Sequence, residues 1–164
     1  MKYLPFEHII YISPFPQDEV MAILSRSVDR KTVRIFKNGP VKEYEGIIDG
    51  QRFKISRIIR GRNSFQPRIT GTVQPDTTGT RIEIKMQLHL FVLIFSVFWG
   101  LMVAGFLIVD VTSANMSYSY VDILLPIFML IIFYLMVILG FKTETKKSRR
   151  FFEQLLDAKI ILDK

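Results

Sequence analysis

The sequence predicts an α+β protein: a small antiparallel-sheet domain with packed helices, joined to a two-helix transmembrane hairpin. Three observations predict it. Leu90–Val109 and Ile123–Phe141 are apolar runs without a charge, each about 20 residues long, enough for a helix to cross a hydrocarbon core of roughly 30 Å. Upstream, Thr80–Leu88 alternates: Ile82, Ile84, Met86 and Leu88 fall on one side, Arg81, Glu83, Lys85 and Gln87 on the other. That is the period of a strand with one covered face. Downstream, Phe151, Phe152, Leu155, Leu156, Ile160 and Ile161 form an apolar stripe against Lys147, Glu153, Gln154 and Asp157, as in an amphipathic helix.

The remaining elements follow in chain order. Phe6–Ile12 reads as a short strand, broken by Ser13-Pro14-Phe15-Pro16. Gln17–Val28 reads as a helix, with Asp18 and Glu19 in the first turn, where the helix dipole favours negative charge. Val20, Ile23 and Leu24 have the spacing of its buried face. Asn38-Gly39-Pro40 marks a loop. Tyr44–Asp49 and Gln51–Arg60 flank Asp49-Gly50, which tolerates the positive φ of a tight hairpin. A further strand lies near Arg68–Gln74, and Pro75–Gly79 turns the chain into Thr80–Leu88. The expected organisation is a cytoplasmic domain over 1–89, a first span over 90–109, an external loop over 110–122, a second span over 123–141 and a tail helix over 142–164. The tail helix packs back on the soluble domain, capped by Thr143 or Thr145.

Charge sets the expected orientation. The net charge is +7. Residues 1–89 hold 15 basic and 9 acidic groups, residues 142–164 hold 7 and 4, and the stretch between holds only Asp110 and Asp122. Lys142, Lys146, Lys147, Arg149 and Arg150 follow the second span directly, whereas the loop has no Lys or Arg. The positive-inside tendency then puts both termini in the cytoplasm of a bacterial inner membrane. Anionic lipid explains the basicity without nucleic acid, for which no recognition motif is present. The N-terminal residues lack the pattern of a signal peptide, so the first span is expected to act as its own insertion signal.

The chemistry-bearing residues are few. The chain has no cysteine, which excludes disulfides and thiolate chemistry. His8 and His89 without a supporting carboxylate pair make a poor metal site, so no metal, cofactor or catalytic residue is expected. No phosphate-binding loop, nucleophile elbow or zinc-protease helix appears. Asn115-Met116-Ser117 matches a glycosylation sequon, which reads as a chance match in so short a loop. Ser96, Gly100 and Ala104 recur every four residues in the first span, a small-residue strip that lets another helix approach closely. Arg57, Arg60, Arg62 and Arg68 surround the loop Gly61–Phe65; with Lys146, Lys147, Arg149 and Arg150 they are expected to form a rim for anionic lipid or an acidic partner.

Two resemblances add to this. Ser13–Val28 as an early strand-to-helix segment, Gly79–Lys85 as a last strand and Arg150–Leu162 as a closing helix resemble the helix-grip arrangement of START-like lipid-binding domains. The chain departs from it in having too few strands and a membrane hairpin before the closing helix. Asn63-Ser64-Phe65-Gln66-Pro67, then Gly79-Thr80, then Met86-Gln87-Leu88-His89 entering an apolar run resemble a family of small uncharacterised two-pass bacterial membrane proteins, over most of residues 45–105. That resemblance implies a bacterial origin and no known activity.

The expected function is therefore non-enzymatic: an accessory or scaffold subunit of a membrane complex, with membrane lipids and other subunits or further copies of itself as partners. The alternative is a membrane-apposed module binding a lipid or apolar ligand between sheet and tail helix.

Overall fold

The computed structural model describes residues 4–30, 42–58, 64–112 and 120–163. Arg60, Arg62, the turn at Asn38–Pro40 and the sequon at Asn115 lie outside them. The elements run β1 (Phe6–Ser13), α1 (Gln17–Ser27), β2 (Val28–Arg30), β3 (Tyr44–Asp49), β4 (Arg52–Arg57), β5 (Pro67–Asp76), β6 (Gly79–Leu88), α2 (Leu90–Thr112), α3 (Tyr120–Leu156) and β7 (Lys159–Asp163). The strands form one seven-stranded sheet in the order β2-β3-β4-β5-β6-β1-β7. The β2–β3 pair is parallel and all other pairs are antiparallel.

The hairpins arise where the sequence places turn residues. Gly50 takes φ +51° in the β3–β4 turn and Gly79 takes φ +143° at the start of β6. At Gly79 a Cβ would stand 2.2 Å from the Ser13 carbonyl oxygen, so only glycine lets β1 and β6 close there.

One face of the sheet is the core. Ile9, Tyr11, Phe53, Ile55, Ile69, Val73, Ile82, Ile84 and Met86 point into it and are buried. Val20 and Leu24 of α1, with Phe141, Phe152 and Leu156 of α3, cover them. Phe152 packs its ring 6.4 Å from Tyr11, 6.4 Å from Tyr44 and 5.9 Å from Phe53. Aromatic side chains thus occupy the space between sheet and α3.

Three expectations are corrected. Among the described residues the strands number seven, because Val28–Arg30 and Lys159–Asp163 also join the sheet. The tail is not a separate helix over 142–164. It continues α3 without a break and ends at Leu156, where Asp157 adopts φ 45° and the Ala158 N–H bonds the Glu153 carbonyl, a Schellman-type stop. The chain then reverses as β7 alongside β1, so Ile160 and Ile161 sit on an edge strand. Finally, neither Thr143 nor Thr145 caps a helix start. Thr143 Oγ1 donates to the Leu139 carbonyl at 2.7 Å and Thr145 Oγ1 to that of Lys142 at 3.1 Å, the back-bonding of mid-helix hydroxyls.

Helices α2 and α3 each contain a stretch long and apolar enough to cross a membrane. Those stretches are only 11% and 6% buried, so nearly all of that apolar surface faces outward and needs lipid or protein to cover it. The two helices meet where Phe95 and Trp99 of α2 stand 6.3 and 6.2 Å from Phe133 of α3; Val92, Val103 and Val137 are their buried valines.

Candidate functional site

The candidate site is the junction where the two apolar helices enter the sheet domain. Neither connection contains a flexible linker. His89 alone separates β6 from α2. It acts as the helix N-cap: its carbonyl accepts from the Val92 N–H at 2.9 Å, and its Nδ1 accepts from the Phe91 N–H at 3.3 Å, satisfying donors that a helix start leaves open. The other connection is α3 itself, 37 residues long.

Where α3 leaves its apolar stretch, one face turns polar and stays buried. Phe141, Glu144, Thr145, Ser148, Phe152 and Leu156 recur at three or four residues and are each 5% exposed or less. Glu144 receives Arg57 Nη1 from the end of β4 at 3.0 Å and Lys147 Nζ at 3.0 Å. On the β1 side, Glu7 receives Arg149 Nε at 2.9 Å and shares the Thr145 hydroxyl, 3.3 Å away, with the Lys142 carbonyl. Tyr44 donates to Ser148 Oγ at 3.1 Å, and Ser148 to the Glu144 carbonyl at 3.1 Å. Burial pushes the Tyr44 phenol above its ordinary value, partly offset by its bond to Ser148. Charges taken from water are expensive unless paired; here both carboxylates have cationic partners from other parts of the fold or the next helical turn.

The turn before β5 completes the junction. Gln66 Nε2 donates to the Arg57 carbonyl. Phe65 lies against Gly140, where a Cβ would meet its ring at 3.0 Å. Phe65 and Gln66 belong to the Asn63–Pro67 motif, and these two residues hold the turn against α3.

The basic rim expected from the sequence divides in two. Arg57 and Arg149 hold the domain onto α3 through Glu144 and Glu7, while Lys147 pairs with Glu144 within α3 itself. Arg68, Lys146 and Arg150 are exposed. Arg68 sits opposite Gln87 on the outer face of the sheet, apart from the α3 row of Lys146 and Arg150. The expected small-residue strip is also placed. Ser96, Gly100 and Ala104 are half-buried, and a Cβ at Gly100 would meet nothing within 4 Å, so no helix approaches closely at that glycine among the described residues. Ser96 and Gly100 instead line a groove of about 350 Å³ between α2 and α3. The Ser96 hydroxyl is satisfied by the Val92 carbonyl at 2.7 Å.

The outer sheet face carries a shallow depression of about 570 Å³. Arg52, Lys54, Glu83 and Lys85 line it. Glu83 accepts from Lys85 at 3.1 Å and His8 Nε2 lies 2.8 Å away. The Lys85 hydrogen bond, followed by that of His8, holds the Glu83 carboxyl below its ordinary value against the opposing effect of desolvation. Compared with known proteins, the chain matches no family model, no curated protein and no solved structure.

Proposed function

We propose that this chain is a two-pass protein of a bacterial inner membrane, with both termini cytoplasmic, serving as a non-enzymatic accessory or scaffold subunit that holds a small α+β domain at the lipid surface. The observation that carries this reading is α3. One helix of 37 residues is apolar and outward-facing over its first part and packed under the sheet over its last. At 1.5 Å per residue it is about 55 Å long, well beyond a hydrocarbon core of roughly 30 Å. The remainder is long enough to serve as the closing helix of the domain. With α2 following β6 after one residue, the domain has no flexible tether on either side. A subunit built this way presents its outer sheet face at a fixed height and angle, which suits docking to neighbouring membrane subunits or to further copies of itself.

The reading has a direct test. Tagged protein at native expression level is crosslinked, extracted in mild detergent and purified. Recovery of defined membrane partners or of a discrete oligomer supports it. A monomer that crosslinks to nothing contradicts it. The competing lipid-binding reading places an apolar ligand between sheet and closing helix, where Tyr11, Tyr44, Phe53 and Phe152 already stand; a lipid contact has more room between the two apolar helices.

A further inference from the structure

We propose that the groove between α2 and α3 holds one acyl chain of an anionic phospholipid, with its phosphate at Lys142 and Lys146. The inference rests on the reading in which both helices cross the bilayer. Leu93, Ser96 and Gly100 form one wall, and Leu130, Tyr134 and Ile138 the other. Gly100 leaves open space, and the one serine is satisfied within its own helix. The Ser96 hydroxyl therefore makes no polar demand on the occupant.

Length and charge identify that occupant. From Leu130 to Ile138 the groove runs about 12 Å along α3, close to the ~15 Å depth of one hydrocarbon leaflet. Pro5 and Leu88 of the domain close its upper end. A membrane-spanning helix lying in the groove would run into them, whereas an acyl chain ends there in its headgroup. The ridge Leu130–Tyr134–Ile138 advances four residues at a time, and its next members are Lys142, Lys146 and Arg150. Residues four apart lie only about 40° apart around a helix, so Lys142 stands one turn above Ile138 on nearly the same face, and Lys146 follows one turn beyond it, displaced further round. Glu7, the carboxylate of β1 beside this row, is already held by Arg149. Lysine ammonium groups at the membrane surface favour anionic headgroups.

The chain contains one tryptophan, Trp99, adjacent to Gly100 and packed on Phe133, which makes it a reporter at the groove. The full chain is reconstituted in phosphatidylcholine vesicles containing equal fractions of either dibrominated phosphatidylglycerol or dibrominated phosphatidylcholine, and quenching of Trp99 is measured. The expected result is a preference for the anionic probe of about fivefold, the effect of roughly one lysine at an anionic surface. Lys142→Gln with Lys146→Gln removes the preference and leaves quenching by bulk lipid. Gly100→Leu, which fills the groove, removes it from the other side. Equal quenching by the two probes, or a preference that survives the double lysine variant, overturns the proposal. Absence of quenching by either probe shows that Trp99 is not in lipid, and then the membrane reading fails and this inference with it.

Discussion

Arg57 Nη1 lies 3.0 Å from Glu144 Oε2, tying the end of β4 to the buried face of α3. The two residues are 87 positions apart, and the bond spans the level at which the apolar stretch of α3 gives way to the domain. Glu144 keeps only 6% of its side chain exposed. Arg57→Ala leaves it with Lys147 alone, which is itself half-exposed. Thermal unfolding in detergent should show a loss of about 2 kcal/mol, the size of a hydrogen bond to a charged group. Arg57→Ala with Glu144→Ala should cost less than the sum of the single changes. Additive losses would mean that the two side chains are not coupled.

Gly71 faces Phe53 across the β4–β5 ladder, and a Cβ there would stand 2.2 Å from the Phe53 ring. The ring cannot retreat easily, since it packs 5.9 Å from Phe152. Gly71→Ala should therefore destabilise the domain by about 1–3 kcal/mol through overpacking. Adding Phe53→Leu should recover part of that loss. A Gly71→Ala protein as stable as the parent would refute the arrangement of this part of the core.

Continuity of α3 is testable by breaking it. Thr143 is exposed in mid-helix, so Thr143→Ala should be tolerated. Thr143→Pro removes the backbone bond to Leu139 and forces a ring against that carbonyl, at about 3 kcal/mol or more. Because the chain has no cysteine, spin labels at Leu139→Cys and Gln154→Cys report the two halves cleanly. A narrow distance distribution is expected for the parent and Thr143→Ala, and a broad or shifted one for Thr143→Pro. An unchanged distribution in the proline variant would contradict a rigid single helix.

Glu83 gives the domain an acid-sensitive contribution. Its folded pKa is held below the ordinary value of 4.5 by Lys85 and then His8. Between the two values the unfolded chain binds more protons, so stability rises with pH through that window. The contribution is complete above the unfolded value and is lost as pH falls through the folded one. Denaturant titrations should show the parent more stable than Glu83→Gln at pH 6, with the gap closing below about pH 4. A gap that widens on acidification would reverse the assignment.

Much of the architecture was legible because single signals were strong and local. The alternation from Thr80 to Leu88, the Asp49-Gly50 turn and the two apolar runs each appear as read. Errors cluster where two periodicities compete. Ile160 and Ile161 extend the helical stripe of Phe152 and Leu156, and they also suit a short strand. The backbone reversal at Asp157 decides between the two, and aspartate at positive φ leaves little trace in a sequence. Continuity of α3 was hidden for a related reason: Thr143 and Thr145 look like cap residues but bond backward. At the junction, charge counts identified the basic residues. They did not reveal which of them answer Glu7 and Glu144, because those partners lie far away in sequence. A small clue was present in Glu144, an acid amid Lys142, Lys146 and Lys147.

The central claim is that the chain enters a bilayer at α2 and returns through α3, leaving the domain on one side. Single cysteines at Tyr120, which begins α3, and at Glu19 and Gln154 in the domain can be probed in sealed, oriented membrane vesicles with an impermeant thiol reagent. The Tyr120 cysteine should label from one side only, while those at Glu19 and Gln154 should both label from the other. Labelling of all three from the same side, or recovery of the chain in the soluble fraction, would contradict it.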